Sequence, residues 1–229
     1  MRYLLSLILI VAQLGLFAQN VNKQNFPDKK NFNRVEMALP QVNGFTVLRC
    51  DFHTHTVFSD GLVWPTYRVG EAWMQGLDVL AITDHIEYRP FKEYVGGDFN
   101  ASYELALPAA REYGIMLIRG TEVTRKQGVI GHFNALFIQD ANAIEHSDPE
   151  KALQAAYDQG AFVMYNHPAW ALDTCLQTEF QQAMIDKGLV RGIEVFNNDE
   201  FYPRALSWSR DQQLTVFASS DILTESVLI

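Results

Sequence analysis

The sequence predicts an α/β fold, seven strands closed as a β/α barrel, and three observations predict it. Short apolar runs alternate with amphipathic segments from Phe45 onward, the amphipathic segments carry helix-end signals, and polar residues gather where the apolar runs stop. The runs are "TVLRCDF", "DVLAITD", "IMLIRGTE", "HFNALFI", "AFVMYNH", "GIEVFN" and "LTVFASSD". Each has strand length and is rich in β-branched or aromatic residues. Between most of them lie "PTYRVGEAWMQGL", "SYELALPAAREYG", "DPEKALQAAYDQG" and "TEFQQAMIDKG", which read as helices closed by glycine. Asp148 followed by Pro149 makes an N-cap and first-turn pair. Strands joined by crossover helices predict a parallel sheet.

Taken in chain order, the strand ends supply a set of metal-binding residue types. His53 and His55 close the first strand one residue apart, and side chains two apart on a strand share a face, so the two imidazoles converge. Asp60 follows in the turn "SDG". Asp84 and His85 end the second strand, Glu122 the third, and His132 opens the fourth. Asn166 and His167 follow the fifth, Glu194 and Asn197 lie on or after the sixth, and Asp221 follows the seventh. In a β/α barrel the carboxyl ends of all strands open on one face, where the chemistry is placed. His146, in "EHSDPE", reads as loop before a helix cap and takes no role.

The chain has 229 residues, 48% hydrophobic and 20% charged, which suits one domain with a sizeable core. Its net charge of -9 opposes a phosphate backbone at long range, so no stable nucleic-acid partner is expected. The amino terminus "MRYLLSLILIVAQLGLFAQN" has an early cation at Arg2, an apolar stretch from Tyr3 to Ala12 and a small residue at Ala18. That is the plan of a signal peptide over residues 1–18, too short for a membrane span of about 20 residues. The expectation is an exported protein, periplasmic or extracellular, with no transmembrane segment once the signal is removed. A polar lead-in over 19–45 then precedes the folded domain over 46–229. Cys50 and Cys175 are too few for a disulfide scaffold.

Together "DFHTHT", "SDG", "ITDH", "GTEV", "GHFNAL", "NHP" and "SSD" resemble, in order, the motif series of the PHP family, the polymerase and histidinol phosphatase metal-dependent phosphoesterases. The resemblance runs from about residue 46 to 222. It implies a distorted (β/α)7 barrel of the PHP type, two or three divalent metals per chain, and hydrolysis of a small phosphorylated substrate. Carried over by position, His53, His55, Glu122 and Asp221 match the ligands of one metal. Glu122, His132 and His167 match those of a second, with Glu122 bridging. Asp60 and His85 match two ligands of a third, whose further histidine is replaced here by Leu223. Glu122, Asp84 and Arg89 form the expected catalytic set, Asp84 orienting a ligand from behind His85 and Arg89 stabilising a leaving oxygen, a role for which Arg125 and Arg204 are further candidates.

Imidazole and carboxylate together suit Mn, Zn or Fe, and a bridging carboxylate holds two cations about 3.5–4 Å apart. Such a pair lowers the pKa of water and neutralises charge on phosphoryl oxygens. An amidohydrolase-like enzyme and a non-catalytic metal-binding descendant are the alternatives. The sequence ends eight residues after Asp221, fewer than an ordinary helix of about 11–12 residues, so the carboxyl-terminal part of the barrel is expected to be incomplete and the third metal weakly held.

Overall fold

The strands pair almost in the order in which they occur along the chain. In the computed structural model, which describes residues 33–225, β1 (Cys50–Asp51), β2 (Val79–Ile82) and β3 (Met116–Thr124) are parallel neighbours. Next comes β4 (His132–Leu136), antiparallel to both β3 and β5 (Phe162–Tyr165), and β6 (Gly192–Asn197) returns to parallel pairing with β5. The two-residue β7 (Glu200–Phe201) folds back on β6, and β8 (Thr215–Ser219) pairs parallel with the other side of β6. Without the small β7 hairpin this is a seven-stranded sheet curled into a half-barrel, the distorted (β/α)7 arrangement that was expected. The signal-peptide stretch 1–18 and the lead-in up to residue 32 lie outside the described residues. Among the described residues, no helix is long and apolar enough to cross a membrane.

Two sequence expectations need correction. The sheet is not all parallel, because β3 and β4 are joined by residues 125–131 alone, and a parallel crossover needs a dozen residues or more. The first strand is also shorter than the run "TVLRCDF", only Cys50 and Asp51 pairing with β2. Beyond them the chain stays close to the far edge of the sheet: Thr54 bridges Ile222 in parallel, the Asp221 amide donates to the His53 carbonyl (2.9 Å) and the His55 amide to the Ile222 carbonyl (3.2 Å). The barrel is therefore joined near the carboxyl ends of its strands. Lower down, Leu48, Cys50, Val216 and Phe217 border an open apolar cavity of about 430 Å³.

The helices begin and end where local chemistry dictates. Proline occupies the first turn of α1 (Pro65–Met74), whereas α2 (Ala101–Tyr113) stops at Gly114, whose φ of 72° turns the chain into the left-handed region. The Asp148 carboxylate accepts from the amides of Glu150 and Lys151 at the start of α3 (Pro149–Asp158). Thr178 and Gln181 exchange hydrogen bonds at the start of α4 (Glu179–Asp186), a complete capping box. Proline again opens α5 (Pro203–Asp211).

Burial on both faces explains why β2 is apolar throughout. Leu80 and Ile82 pack on Val69, Ala106 and Ala110 of α1 and α2, while Val79 and Ala81 face Ile118, Leu136 and Met164 inside the barrel. Phe52, Phe162 and Phe217 pack against that inner cluster, with ring centroids 5.6–5.8 Å apart. This apolar layer occupies the interior of the barrel.

Candidate metal centre

Glu122, near the end of β3 and fully buried, is the hub of the polar cluster. Its two oxygens face different imidazoles. Oε1 lies 3.0 Å from His132 Nδ1 and 3.5 Å from His167 Nε2; Oε2 lies 3.4 Å from both His53 Nε2 and His55 Nε2 and 2.9 Å from His85 Nδ1. Asp221 completes the group, Oδ1 standing 3.2 Å from His53 Nε2 and 3.1 Å from His55 Nε2. Asp60 Oδ1 approaches His85 Nε2 at 3.4 Å and His55 Nδ1 at 3.7 Å. All eight sequence-predicted metal residues are thus brought together. Three sets have their ligand atoms within 4.8 Å of one another: His53, His55 and Asp221; His53, Glu122 and His167; His55, His85 and Glu122.

These residues fit cations on two counts. Ligands about 2.0–2.2 Å from a common ion lie roughly 3–3.5 Å from one another, and His53 Nε2, His55 Nε2, Glu122 Oε2 and Asp221 Oδ1 have contacts of 3.1–3.4 Å. The buried carboxylates also lack a permanent counter-charge: among the described residues Glu122, Asp221 and Asp60 pair with imidazoles and not with lysine or arginine, and Asp60 Oδ1 is buried without a hydrogen-bond partner. The imidazoles answer the carboxylates electrostatically. Burial pushes the His85 pKa down, but Glu122 and Asp60 overcome it and raise the group to about 10. Burial likewise opposes ionisation of Glu122, yet His85, His53 and His132 hold it well below the usual carboxylate range. For His132 burial dominates, and its pKa is lowered. A bound cation would supply the charge that protonated imidazoles otherwise supply.

Behind these residues lies a supporting layer. Glu194 on β6, fully buried, places Oε1 2.9 Å from His53 Nδ1, while Oε2 accepts from the His167 amide (2.8 Å) and from Asn197 (2.9 Å). It thereby orients the His53 imidazole from the side away from Glu122, a role that metal sites commonly give to a carboxylate, and holds the backbone of His167. The sequence places Glu194 at a strand end with no role implied; an acid inside the otherwise apolar "GIEVFN" is the available signal. Asn166 donates to Glu122 Oε1 and to Asn134. His167 and Asp221 adopt positive φ (25° and 49°), a strained conformation for such residues and one that clusters at functional sites.

The side chains of Asp84 and Arg89 hydrogen-bond outside the cluster of carboxylates and imidazoles. The Asp84 carboxylate accepts from the Thr56 amide and hydroxyl and from the Ser59 hydroxyl, so it braces the 56–59 turn beside His55. Arg89 donates to the carbonyls of Phe58 and Gly97 and lines a neighbouring cavity of about 660 Å³ with Lys92, Arg125 and His146. Arg125 pairs with Glu87, and Arg204 reaches Thr174 and the Cys175 carbonyl. The cavity at the centre itself, about 320 Å³, is bordered by Asp60, His85, Glu122, His132, His167 and Asp221, with Tyr88, Thr124, Trp170 and Leu223 completing its wall.

Gly61 explains the last letter of "SDG". A Cβ there would stand 2.6 Å from the carbonyl carbon of His55 and the nitrogen of Thr56, backbone atoms with little room to yield. Gly61→Ala should therefore displace His55 and weaken metal affinity about 10–100-fold, the usual cost of disturbing what orients a ligand. Equilibrium dialysis against zinc would measure it; wild-type affinity would show that the turn adapts without moving His55.

Several known proteins resemble this chain. A two-domain protein from Bacteroides vulgatus containing a predicted PHP-like metal-dependent phosphoesterase is 45% identical with a TM-score of 0.81, the match covering 84% of this chain and 57% of that one. A Bifidobacterium adolescentis protein assigned as a metal-dependent phosphoesterase (20% identical, TM-score 0.59, 77% of this chain and 88% of that one) shares the fold. So does an amidohydrolase from Chromobacterium violaceum (17%, TM-score 0.59, 78% and 88%), solved with bound sulfate and no metal. Among curated sequences, an uncharacterised protein of Methanocaldococcus jannaschii is 39% identical over 79 residues, 34% of each chain. A 5'-3' exoribonuclease of Haemophilus influenzae is 39% identical over 74 residues, 32% of this chain and 23% of that protein. The chain therefore spans 34% and 23% of the length of these two relatives. No protein-family model matches it.

Proposed function

We propose, from the premise that this chain is a PHP-like protein in fold and motif series, that it is a metal-dependent hydrolase cleaving a phosphate mono- or diester. The observation that carries the reading is Glu122, whose two oxygens each face a separate group of imidazoles, the arrangement of a carboxylate shared by two cations. In this reading His53, His55, Asp221 and Glu122 hold one cation, while Glu122, His132 and His167 hold the second. Asp60 and His85 offer a third, weaker position beside Leu223. Divalent cations there would supply positive charge to the phosphoryl oxygens and a water of lowered pKa. The chain's own residues do the rest: Glu194 orients the His53 imidazole and holds the His167 backbone, and Asp84 holds the turn that carries His55.

The substrate in this proposal is small. A net charge of -9 disfavours a long phosphate backbone, and the exoribonuclease relative matches only a third of the chain. The test is a panel of phosphate monoesters, phosphodiesters and amides offered to protein loaded with manganese or zinc. Phosphate ester cleavage that stops on chelation supports the reading; turnover of amides alone would transfer the site to the amidohydrolase class, and binding of metal without any turnover would favour a non-catalytic descendant.

Export belongs to the same proposal and rests on the apolar stretch Tyr3 to Ala12 followed by Ala18. Protein recovered from the native cell should have the intact mass of a chain beginning near Gln19. A full-length mass in the cytoplasm would refute export.

A further inference from the structure

We infer that the mouth of the metal centre is built to take a phosphate ester of a flat aromatic ring, held between Trp170 and Tyr88. The inference rests on the phosphate-ester reading above and names the organic part of that substrate. Trp170 and Tyr88 are half exposed, at 49% and 53%, although both lie against the ligand imidazoles. The Trp170 ring stands 5.2 Å from the His132 ring and 5.7 Å from that of His167, and the Tyr88 ring 5.9 Å from that of His85. An aromatic group stacked on Trp170 is therefore within a bond or two of a phosphoryl group at the imidazoles, which points to a ring bonded directly to the phosphate and not to one on a long tether.

The remaining wall favours the same occupant. Beyond the carboxylates and imidazoles, the cavity is bordered by Tyr88, Thr124, Trp170 and Leu223, which carry no charge, and its volume of about 320 Å³ suits a phosphate with one ring. Arg89, Arg125 and Lys92 line the adjacent cavity, which meets this one at Tyr88, so the wall of this cavity itself offers a second anionic group no lysine or arginine. Trp170 is firmly presented: its amide donates to the His167 carbonyl (2.9 Å) across the turn that contains Pro168, and the Leu176 amide donates to the Pro168 carbonyl (3.1 Å). Half-exposed aromatic faces held in this way lose little entropy on binding a ring.

Phenylphosphonate and methylphosphonate carry the same anionic head and cannot be hydrolysed, so their affinities for the manganese-loaded protein, measured by calorimetry, isolate the ring. Phenylphosphonate should bind at least about tenfold more tightly, the scale of one stacked ring. Trp170→Ala should bring the ratio close to one while leaving methylphosphonate affinity unchanged, Trp170→Phe should keep most of the preference, and Tyr88→Ala should lower it. Equal affinities in the wild type would overturn the clamp and leave the phosphate reading standing. Parallel loss of both ligands in Trp170→Ala would also overturn it, assigning Trp170 to support of the histidines. Failure of both phosphonates to bind the wild type would remove the phosphate reading and the clamp together.

Discussion

Glu122→Gln is expected to abolish hydrolysis, with a loss of about 10³-fold or more, and to empty both principal cation positions. The substitution keeps the shape of the side chain but replaces a carboxylate oxygen and its charge, and each oxygen of Glu122 faces its own imidazoles: His132 and His167 on one side, His53, His55 and His85 on the other. A bridging ligand differs from a terminal one in that a single change damages two sites, and several kcal/mol of charge stabilisation depend on both being filled. Elemental analysis after dialysis, alongside turnover, provides the check. Normal metal content with retained activity would show that Glu122 does not bridge and that the centre is organised around another residue.

Arg68→Ala is expected to produce the largest loss of stability. Arg68 on α1 is buried, with 2% of its surface exposed, and its guanidinium serves several groups. It pairs with Glu71 at 2.7 Å, donates to the His55 carbonyl through Nε and Nη2, and donates to the carbonyls of Ile222 (3.3 Å) and Thr224 (2.9 Å). Removing one partner of a buried ion pair costs about 3–5 kcal/mol, because the remaining charge stays in a poorly solvated place. In a domain of this size that lowers the melting temperature by about 10 °C or more. Metal affinity should fall with it, since the same guanidinium fastens the backbone of His55 to the segment just after Asp221. Thermal denaturation with and without zinc would measure both effects. A melting temperature within about 2 °C of the wild type would mean that water replaces the guanidinium and that this joint is not a source of stability.

The clustered histidines and carboxylates were legible in the sequence because metal chemistry restricts residue type and the barrel restricts place. His53, His55, His85, Glu122, His167 and Asp221 each stand at the end of an apolar run, so residue type and position agree. What escaped was whatever depends on how loops and strands turn in space. Glu194 looks, in "GIEVFN", like any acid on a half-buried strand, and its inward direction becomes visible only once β6 is set between β5 and β8. Arg89 follows a strand end as a catalytic arginine would, yet the long connection between β2 and α2 folds it onto the Phe58 carbonyl. The reversal of β4 could have been read from the seven residues that separate it from β3. Trp170 gave no signal, because a tryptophan after "NHP" has no fixed meaning until the turn brings it over two imidazoles.

Because His53 and His55 come near the start of the described chain and Asp221 near its end, the cation pocket closes only when the first strand and the last meet at the Thr54–Ile222 bridge. Most other pairings join neighbours in sequence and can form progressively, whereas this one spans nearly the whole domain and carries the greatest loop-closure cost. An incompletely folded chain thus has most of the clustered side chains but no complete site. Completion of the cluster is then expected as a late event in folding, one that depends on the finished barrel.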